Sequence, residues 1–205
     1  YNTVQIIRLI FKMLKELFNE KKAAQVAAFF LIQAKTPLEI LKLMKLMYLA
    51  ERGSFANFGE GMMGDRLVSM PHGPVLSITH NFMNGELTSS QGGWDTWLAD
   101  REARFLSLSD EKSLANVDEL LELCDADIQV LNSVWQQFGL MTAWQLREYT
   151  HDHCPEWQDP DGSMIPMKPE DLFNALNFSP EQSAAYLGRM KQQAAINAAH
   201  INLNH

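Results

Sequence analysis

The stretch TPLEILKLMKLMYLAERG, residues Thr36–Gly53, decides the fold. Its first four residues have the pattern of a helix capping box, in which the Thr36 hydroxyl accepts from an exposed amide, Pro37 takes the first helical position and Glu39 reaches back. Gly53 can end the helix in a left-handed conformation. The stretch therefore predicts an α-helix. Residues at helical steps of three and four are Leu38, Leu41, Lys42, Lys45, Tyr48 and Leu49.

Similar signals predict helices on both sides of this stretch. Residues 22–33 are rich in alanine and phenylalanine, and residues 126–138 are amphipathic and are followed by a glycine. Two more capping boxes begin at Thr142 and Ser179, the second ahead of a helix that runs to about Ala199. We therefore expect a mainly α fold, a compact helical domain with a small β-hairpin or short strand element.

The β element is expected near residues 66–70, where the helical period disappears and a short strand-like run replaces it. Pro74 is expected to start the next helix, through residue 83. Residues 94–98 and 104–108 could pair as a second short hairpin. Residues 155–168 contain several prolines and a glycine and are expected to form a loop.

The composition indicates one globular domain. Of the 205 residues, 46% are hydrophobic and 20% are charged, which is ordinary for a folded protein. The formal net charge of −8 argues against nucleic acid as a partner, because phosphate binding needs lysine and arginine. No run reaches the roughly 18 apolar residues of a membrane span. With two cysteines and no secretory signal, we expect a cytoplasmic protein with free thiols.

Residues 4–18 predict a further helix, whose apolar stripe covers more than about half of its circumference. Such a helix is either buried or reserved for a partner, so we predict that it docks a partner protein. Packing as an extra core helix and adsorption to a membrane surface are the alternatives. Trp94, Trp97 and Trp144 are aromatic candidates for the same interface, although Trp144, which begins a capped helix, is expected in the core. The contact residues predicted in the N-terminal helix are Ile6, Ile7, Ile10, Phe11, Leu14 and Phe18.

Several side chains resemble parts of binding or catalytic sites, and each also has a structural explanation. Lys42 and Lys45 could pair with acidic groups of a partner, or their stems could lie along the domain surface. His72 precedes a glycine and a proline, a pattern more typical of a tight turn than of a catalytic loop. A zinc site would need a fourth ligand at a recognisable spacing, and the sequence offers none beside His151, His153 and Cys154. We therefore predict no catalytic residue, no metal site and no cofactor.

Three blocks of sequence, in this order, resemble the Panacea (SocA-like) antitoxin domain. The first is Lys42–Glu51, KLMKLMYLAE, which is similar to the family's helix with a lysine-leucine-x-lysine-leucine-x-tyrosine core. The second is Gly64-Asp65 followed by His72–Val75, and the third spans Leu131–Trp157. The residues that carry the resemblance are Lys42, Lys45, Tyr48, Asp65, His72, Gly73, Pro74, Val75, Gly139, Thr150 and His151.

The resemblance implies an α-rich domain that acts as the antitoxin of a bacterial or prophage toxin–antitoxin system and neutralises its toxin by direct binding. An adaptor that delivers the toxin to a protease is the first alternative, and a DNA-binding autorepressor is the second. The family has no cofactor or catalytic residue. The net charge favours a basic toxin. On this basis the chain divides into an N-terminal extension (residues 1–20), an antitoxin domain (21–160) and a C-terminal loop and helix (161–205).

Overall fold

The computed structural model describes residues 16–203, with side chains as far as residue 199. The fold is mainly helical, as predicted, and its strands form two small sheets rather than a single hairpin. In chain order the elements are α1 (Glu20–Ala34), β1 (Leu38–Glu39), α2 (Ile40–Phe58), β2 (Leu67–Met70), β3 (Gly73–Leu76), α3 (Ser77–Met83), α4 (Trp94–Trp97), β4 (Phe105–Leu106), two 3₁₀ turns (Asp110–Lys112 and Val117–Glu119), α5 (Asp125–Phe138), α6 (Ala143–His153), β5 (Ile165–Pro166), α7 (Pro169–Ala175) and α8 (Pro180–Leu203).

Helix α2 forms the centre of the fold. Every residue from Leu43 to Glu51 is buried, so this part of the helix has neighbours on all sides. Those neighbours are α1, α5, α6 and strand β3. A buried central helix places its polar side chains inside the protein, where each of them needs a hydrogen-bond partner.

The predicted start of α2 is wrong. Leu38 and Glu39 form a short strand, pairing antiparallel with Leu106 and Phe105 of β4, and the helix begins only at Ile40. The Thr36 hydroxyl donates to the Ala34 carbonyl instead of capping α2. Strand pairing with a distant segment therefore outweighs the local capping signal.

The predicted end of α2 is wrong as well. The helix continues past Gly53 to Phe58, and Gly59 provides the left-handed stop with a φ of 73°. A Cβ atom on Gly53 would lie 3.2 Å from a Val130 methyl group of α5. Gly53 therefore serves close helix packing and not helix termination.

Strands β2 and β3 form the predicted β element, an antiparallel hairpin that pairs Val68 with Val75, and β5 adds a third strand beside β2. Pro74 does not start a helix, because it lies within β3 opposite Ser69. The expected second hairpin is also wrong. Residues 94–97 are helical, and the two segments are joined only by isolated antiparallel bridges, Leu98 to Leu108 and Glu102 to Phe105.

The capping boxes at Thr142 and Ser179 are confirmed. The Thr142 hydroxyl accepts from the Gln145 amide at 3.2 Å, and the Ser179 hydroxyl accepts from the Gln182 amide at 3.2 Å. Helix α7 was not predicted, because its seven residues are too few to display a helical period. The loop expected at 155–168 contains strand β5.

The N-terminal helix was predicted to reach Phe18, but the described chain begins with a turn and α1 starts at Glu20. The Phe18 ring stacks on Phe82 of α3, with 6.1 Å between the centroids. The Glu20 carboxylate accepts from the backbone amides of Ser90 and Trp94. The remaining predicted contact residues of this helix, Ile6, Ile7, Ile10, Phe11 and Leu14, lie outside the described residues.

Candidate functional site

Lys45 joins the central helix to the β2–β3 hairpin. Its ammonium group is fully buried and donates to the Pro74 carbonyl of β3 at 2.6 Å. Burial, the largest influence, lowers the pKa of Lys45 to about 7, while Cys154 raises it and Arg147 lowers it further. The lysine thus stabilises the packing of α2 against the hairpin and does not reach the surface.

Replacing Lys45 with methionine is expected to remove a pH-dependent contribution to stability. In the unfolded chain the lysine keeps its proton to about pH 10, whereas its folded pKa is about 7. Between these values the unfolded state binds more protons, so the wild-type free energy of unfolding gains up to about 1.4 kcal/mol per pH unit from this group. The variant lacks that gain, and urea unfolding of both proteins from about pH 6 to about pH 9 measures it.

The free energy of unfolding of the wild type minus that of the variant should be constant below about pH 7, where the lysine is protonated in both the folded and the unfolded state. Above that pH this difference should rise. Burial also raises the pKa of the Cys154 thiol, to about 12. That thiol is present in both proteins, so its contribution largely cancels. A difference that does not change with pH would contradict the lowered pKa of Lys45.

Gly73 allows the hairpin to approach the helices closely. Its φ is +96°, a conformation that favours glycine. A Cβ atom there would lie 2.8 Å from the Thr150 hydroxyl of α6 and 3.0 Å from the Lys45 ammonium nitrogen. The Thr150 hydroxyl donates to the Arg147 carbonyl one turn earlier. The resemblance residues of α2, β3 and α6 therefore meet at one point inside the fold.

Tyr48, Arg52 and Glu156 form a second buried connection. The Tyr48 hydroxyl donates to Glu156 Oε1 at 2.5 Å, and Arg52 Nε donates to the same oxygen at 2.7 Å. Tyr48 is fully buried, and both its burial and the adjacent carboxylate raise the pKa of the phenol well above its usual range. The phenol therefore stays protonated and is a permanent donor to Glu156.

Two buried carboxylates accept hydrogen bonds from backbone amides in the part of the chain that follows α2. Glu51 accepts from the amides of Met63 and Gly64, and burial raises the pKa of its carboxyl group to about 7. Asp65 accepts from the Ile78 amide at 2.9 Å and the Thr79 amide at 2.8 Å, which caps the N-terminus of α3 from outside the helix. Both carboxylates satisfy backbone groups of the fold.

Further resemblance residues also connect elements of the fold. Lys42 donates to the Gly139 carbonyl at 2.7 Å, directly after α5. The His151 ring stacks on Trp157, with 3.9 Å between the centroids, and the indole of Trp157 donates to the Met70 carbonyl of β2. None of these contacts places a nucleophile beside a base in a cleft, the arrangement that covalent catalysis requires.

A family comparison agrees with this geometry. The profile of the family described as antitoxin SocA-like, Panacea domain matches residues 43–158, more than half of the chain. This chain belongs to the SocA-like Panacea antitoxin family. No curated protein and no solved structure matches the chain. The match contains nearly all of the three blocks identified in the sequence, so the resemblance is confirmed, and the partners of the Panacea residues are now defined.

Sequence reasoning missed two partners in this Panacea domain. The sequence pattern identified neither Arg52 nor Glu156 as a partner of Tyr48. The available signal was Tyr48 itself, because a tyrosine in a helix that is buried all round needs a hydrogen-bond acceptor. The sequence could predict such an acceptor but could not indicate that it would come from the segment after α6.

The tryptophans of the Panacea domain are placed opposite to expectation. Trp94 and Trp97, predicted to contact a partner, are buried in the core. Trp144, expected in the core, is 58% exposed and lies edge-on to His72, with 5.7 Å between the ring centroids. Helix α6 buries Ala143 and Leu146, and Trp144 falls beside that stripe. His72 is the one exposed side chain among the eleven resemblance residues.

A groove of about 800 Å³ opens where the N-terminal segment enters the Panacea domain. Leu17 and Phe18 line one side of it, and Met190 and Ile196 of α8 line another. The Asn197 side chain donates to the Glu16 carbonyl at 2.7 Å. Among residues 16–203, no helix combines the length and the apolar character required to cross a membrane.

Proposed function

We propose that this protein is an antitoxin that neutralises a co-encoded protein toxin by binding to it directly. Membership of the SocA-like Panacea family over residues 43–158 carries the proposal. The buried contacts of the family residues add support. Lys45, Tyr48 and Asp65 bond to other parts of the same chain, so a partner would have to bind to other, exposed residues. An antitoxin family favours a binding function over catalysis.

The proposed mechanism is occlusion. An apolar patch with a polar rim would cover the active site or the substrate surface of the toxin, and a few buried anchors would supply most of the affinity. The net charge of −8 favours a basic toxin, since opposite fields accelerate encounter. We place this encounter in the cytoplasm, and we expect neither nucleic acid nor a membrane to compete for the same surface.

Co-expression with the product of the adjacent reading frame tests this function. We expect that product to arrest growth when it is expressed alone, and we expect the antitoxin to restore growth and to co-purify with it at a fixed stoichiometry. Restored growth with no complex, and with a toxin lifetime that falls only when a cellular protease is present, would favour the adaptor instead. Failure to restore growth would contradict both functions.

The same assay tests the predicted role of the N-terminal extension. The structure indicates where to truncate, because Glu16 is held by Asn197 and Glu20 accepts from the amides of Ser90 and Trp94. We propose that residues 1–15 contact the toxin, so their removal should abolish neutralisation and leave the melting temperature unchanged. A lower melting temperature would instead identify the extension as part of the core.

A further inference from the structure

The loop between β4 and α5, residues 109–124, concentrates the negative charge of the described surface; we name it the acidic loop. It contains one basic residue, Lys112, which bonds to Glu119 at 3.3 Å and lies 4.5 Å from the centroid of the Trp97 ring. The loop therefore carries a strong net negative charge on a small area. Its exposed acidic residues are Asp110, Glu111, Asp118, Glu119 and Glu122.

Two leucines of the acidic loop project into solvent. Leu114 is 95% exposed and Leu121 is 87% exposed. Exposed leucines are common one at a time, but two almost fully exposed leucines on one loop add apolar surface that water solvates poorly. Such a surface is available to a partner without any rearrangement of the fold.

The acidic loop is held in place, so the leucines are presented by a fixed backbone. The Asn116 side chain accepts from the Asp118 amide at 2.8 Å, and Glu119 accepts from the Asn116 amide at 3.1 Å. Leu120 is buried, and the Glu122 amide donates to Gln25 of α1 at 2.8 Å. A preorganised loop loses little conformational entropy when a partner binds.

Leu114 also forms one wall of an open pocket. The pocket has a volume of about 400 Å³ and lies between the end of α1 and the acidic loop. It is large enough to receive one or two apolar side chains. Its lining includes Lys35 and no carboxylate, and the acidic residues of the loop precede and follow the lining segment along the chain. Its apolar lining residues are Leu31, Ile32, Pro37, Leu108, Leu114 and Ala115.

We propose that the acidic loop and this pocket form the docking surface for a basic protein, the toxin of the proposed function on which this inference rests. An apolar side chain of the toxin enters the pocket beside Leu114, and lysines or arginines around that side chain face the loop carboxylates. Apolar anchors surrounded by charges are typical of specific interfaces. A nucleic acid or an anionic membrane would bring negative charge to the loop and be repelled, and a second copy of this chain carries a net charge of −8 of its own.

A leucine pair tests the apolar part of this surface. The Leu114→Ser/Leu121→Ser variant should weaken binding of the adjacent-frame product by about tenfold or more, as loss of interface anchors does. Leu140→Ser is the matched control, because Leu140 is 99% exposed and follows α5 instead of preceding it. All three side chains are almost fully exposed, so the melting temperatures should be unchanged. Wild-type affinity in the double variant would overturn the proposal.

Charge reversal tests the acidic part. Glu111→Lys/Glu122→Lys should slow association about tenfold at low salt, with the loss shrinking as salt increases. Glu86→Lys/Asp152→Lys changes the net charge equally at exposed sites outside the loop and is the control. Equal losses in both pairs would show an effect of net charge alone and would overturn the proposal.

The outcomes also separate this inference from the proposed function. A wild-type protein that fails to bind the adjacent-frame product contradicts the antitoxin function, and the docking surface is then rejected with it. A wild-type protein that binds the product while the leucine variant binds equally well contradicts only the docking surface. A wild-type dimer that the leucine variant converts to a monomer would identify a second copy as the occupant and would also overturn the proposal.

Discussion

Replacing Glu156 with alanine is expected to lower the free energy of unfolding by about 3 kcal/mol or more. The substitution removes the acceptor that Tyr48 and Arg52 share, because both of them donate to Glu156 Oε1. Among residues 16–203, the buried Tyr48 hydroxyl would then have no acceptor and the partly buried Arg52 guanidinium would have no counterion. An unpaired buried donor or charge costs more than the original contact contributed. Urea unfolding followed by circular dichroism measures the loss.

Glu148→Ala is the matched control for this substitution. Glu148 also pairs with an arginine, Arg147, but its side chain is 61% exposed. A surface ion pair of this kind contributes about 0–1 kcal/mol, so the control should be nearly neutral. Similar losses in the two variants would contradict a special role for the buried carboxylate. Glu156→Gln keeps an acceptor for the Tyr48 hydroxyl and should fall between them.

Replacing Gly73 with alanine is expected to cost about 2–4 kcal/mol, because backbone strain and crowding act together. The φ of +96° is unfavourable for alanine, and its Cβ would lie 2.8 Å from the Thr150 hydroxyl. Gly162→Ala separates the two effects, since Gly162 has a φ of +83° with nothing within 4 Å of the added Cβ. The control should therefore cost only about 1 kcal/mol. Thermal unfolding of both variants measures the difference.

A second substitution identifies the crowding directly. Thr150→Ala removes the hydroxyl nearest to the added Cβ, so Gly73→Ala should cost less in that background than in the wild type. The remaining cost reports the backbone strain and the contact with Lys45. If Gly73→Ala were no worse than Gly162→Ala, the close approach of the hairpin to α6 would be wrong.

Local sequence signals predicted a helix correctly where the signal agrees with how the helix packs in the fold. The apolar period found α2 and α5, and the Thr142 and Ser179 caps form as expected. The ends of α2 were predicted wrongly because residues far away in the sequence contact them. Leu38 pairs with Leu106 far along the chain, and Gly53 faces Val130 of α5, and neither relation is visible within a short window of sequence.

The functional surface was harder to predict than the scaffold. The resemblance identified Lys45, Tyr48 and Gly73, but it could not show that they contact one another and Glu156 inside the protein. The acidic loop was not recognised as a surface, because Leu114 and Leu121 resemble core residues in the sequence. Their exposure follows from the capped turns that fix the loop, and it is a property of the folded chain.

The internal use of the Panacea residues has a consequence for how members of this family can differ. Lys45, Tyr48, Asp65 and Gly73 meet other parts of the same chain, so the signature by which the domain is recognised describes its framework. The exterior is free to change without disturbing that framework. Two proteins with the same signature can therefore carry different binding faces, and shared membership does not by itself define a common target.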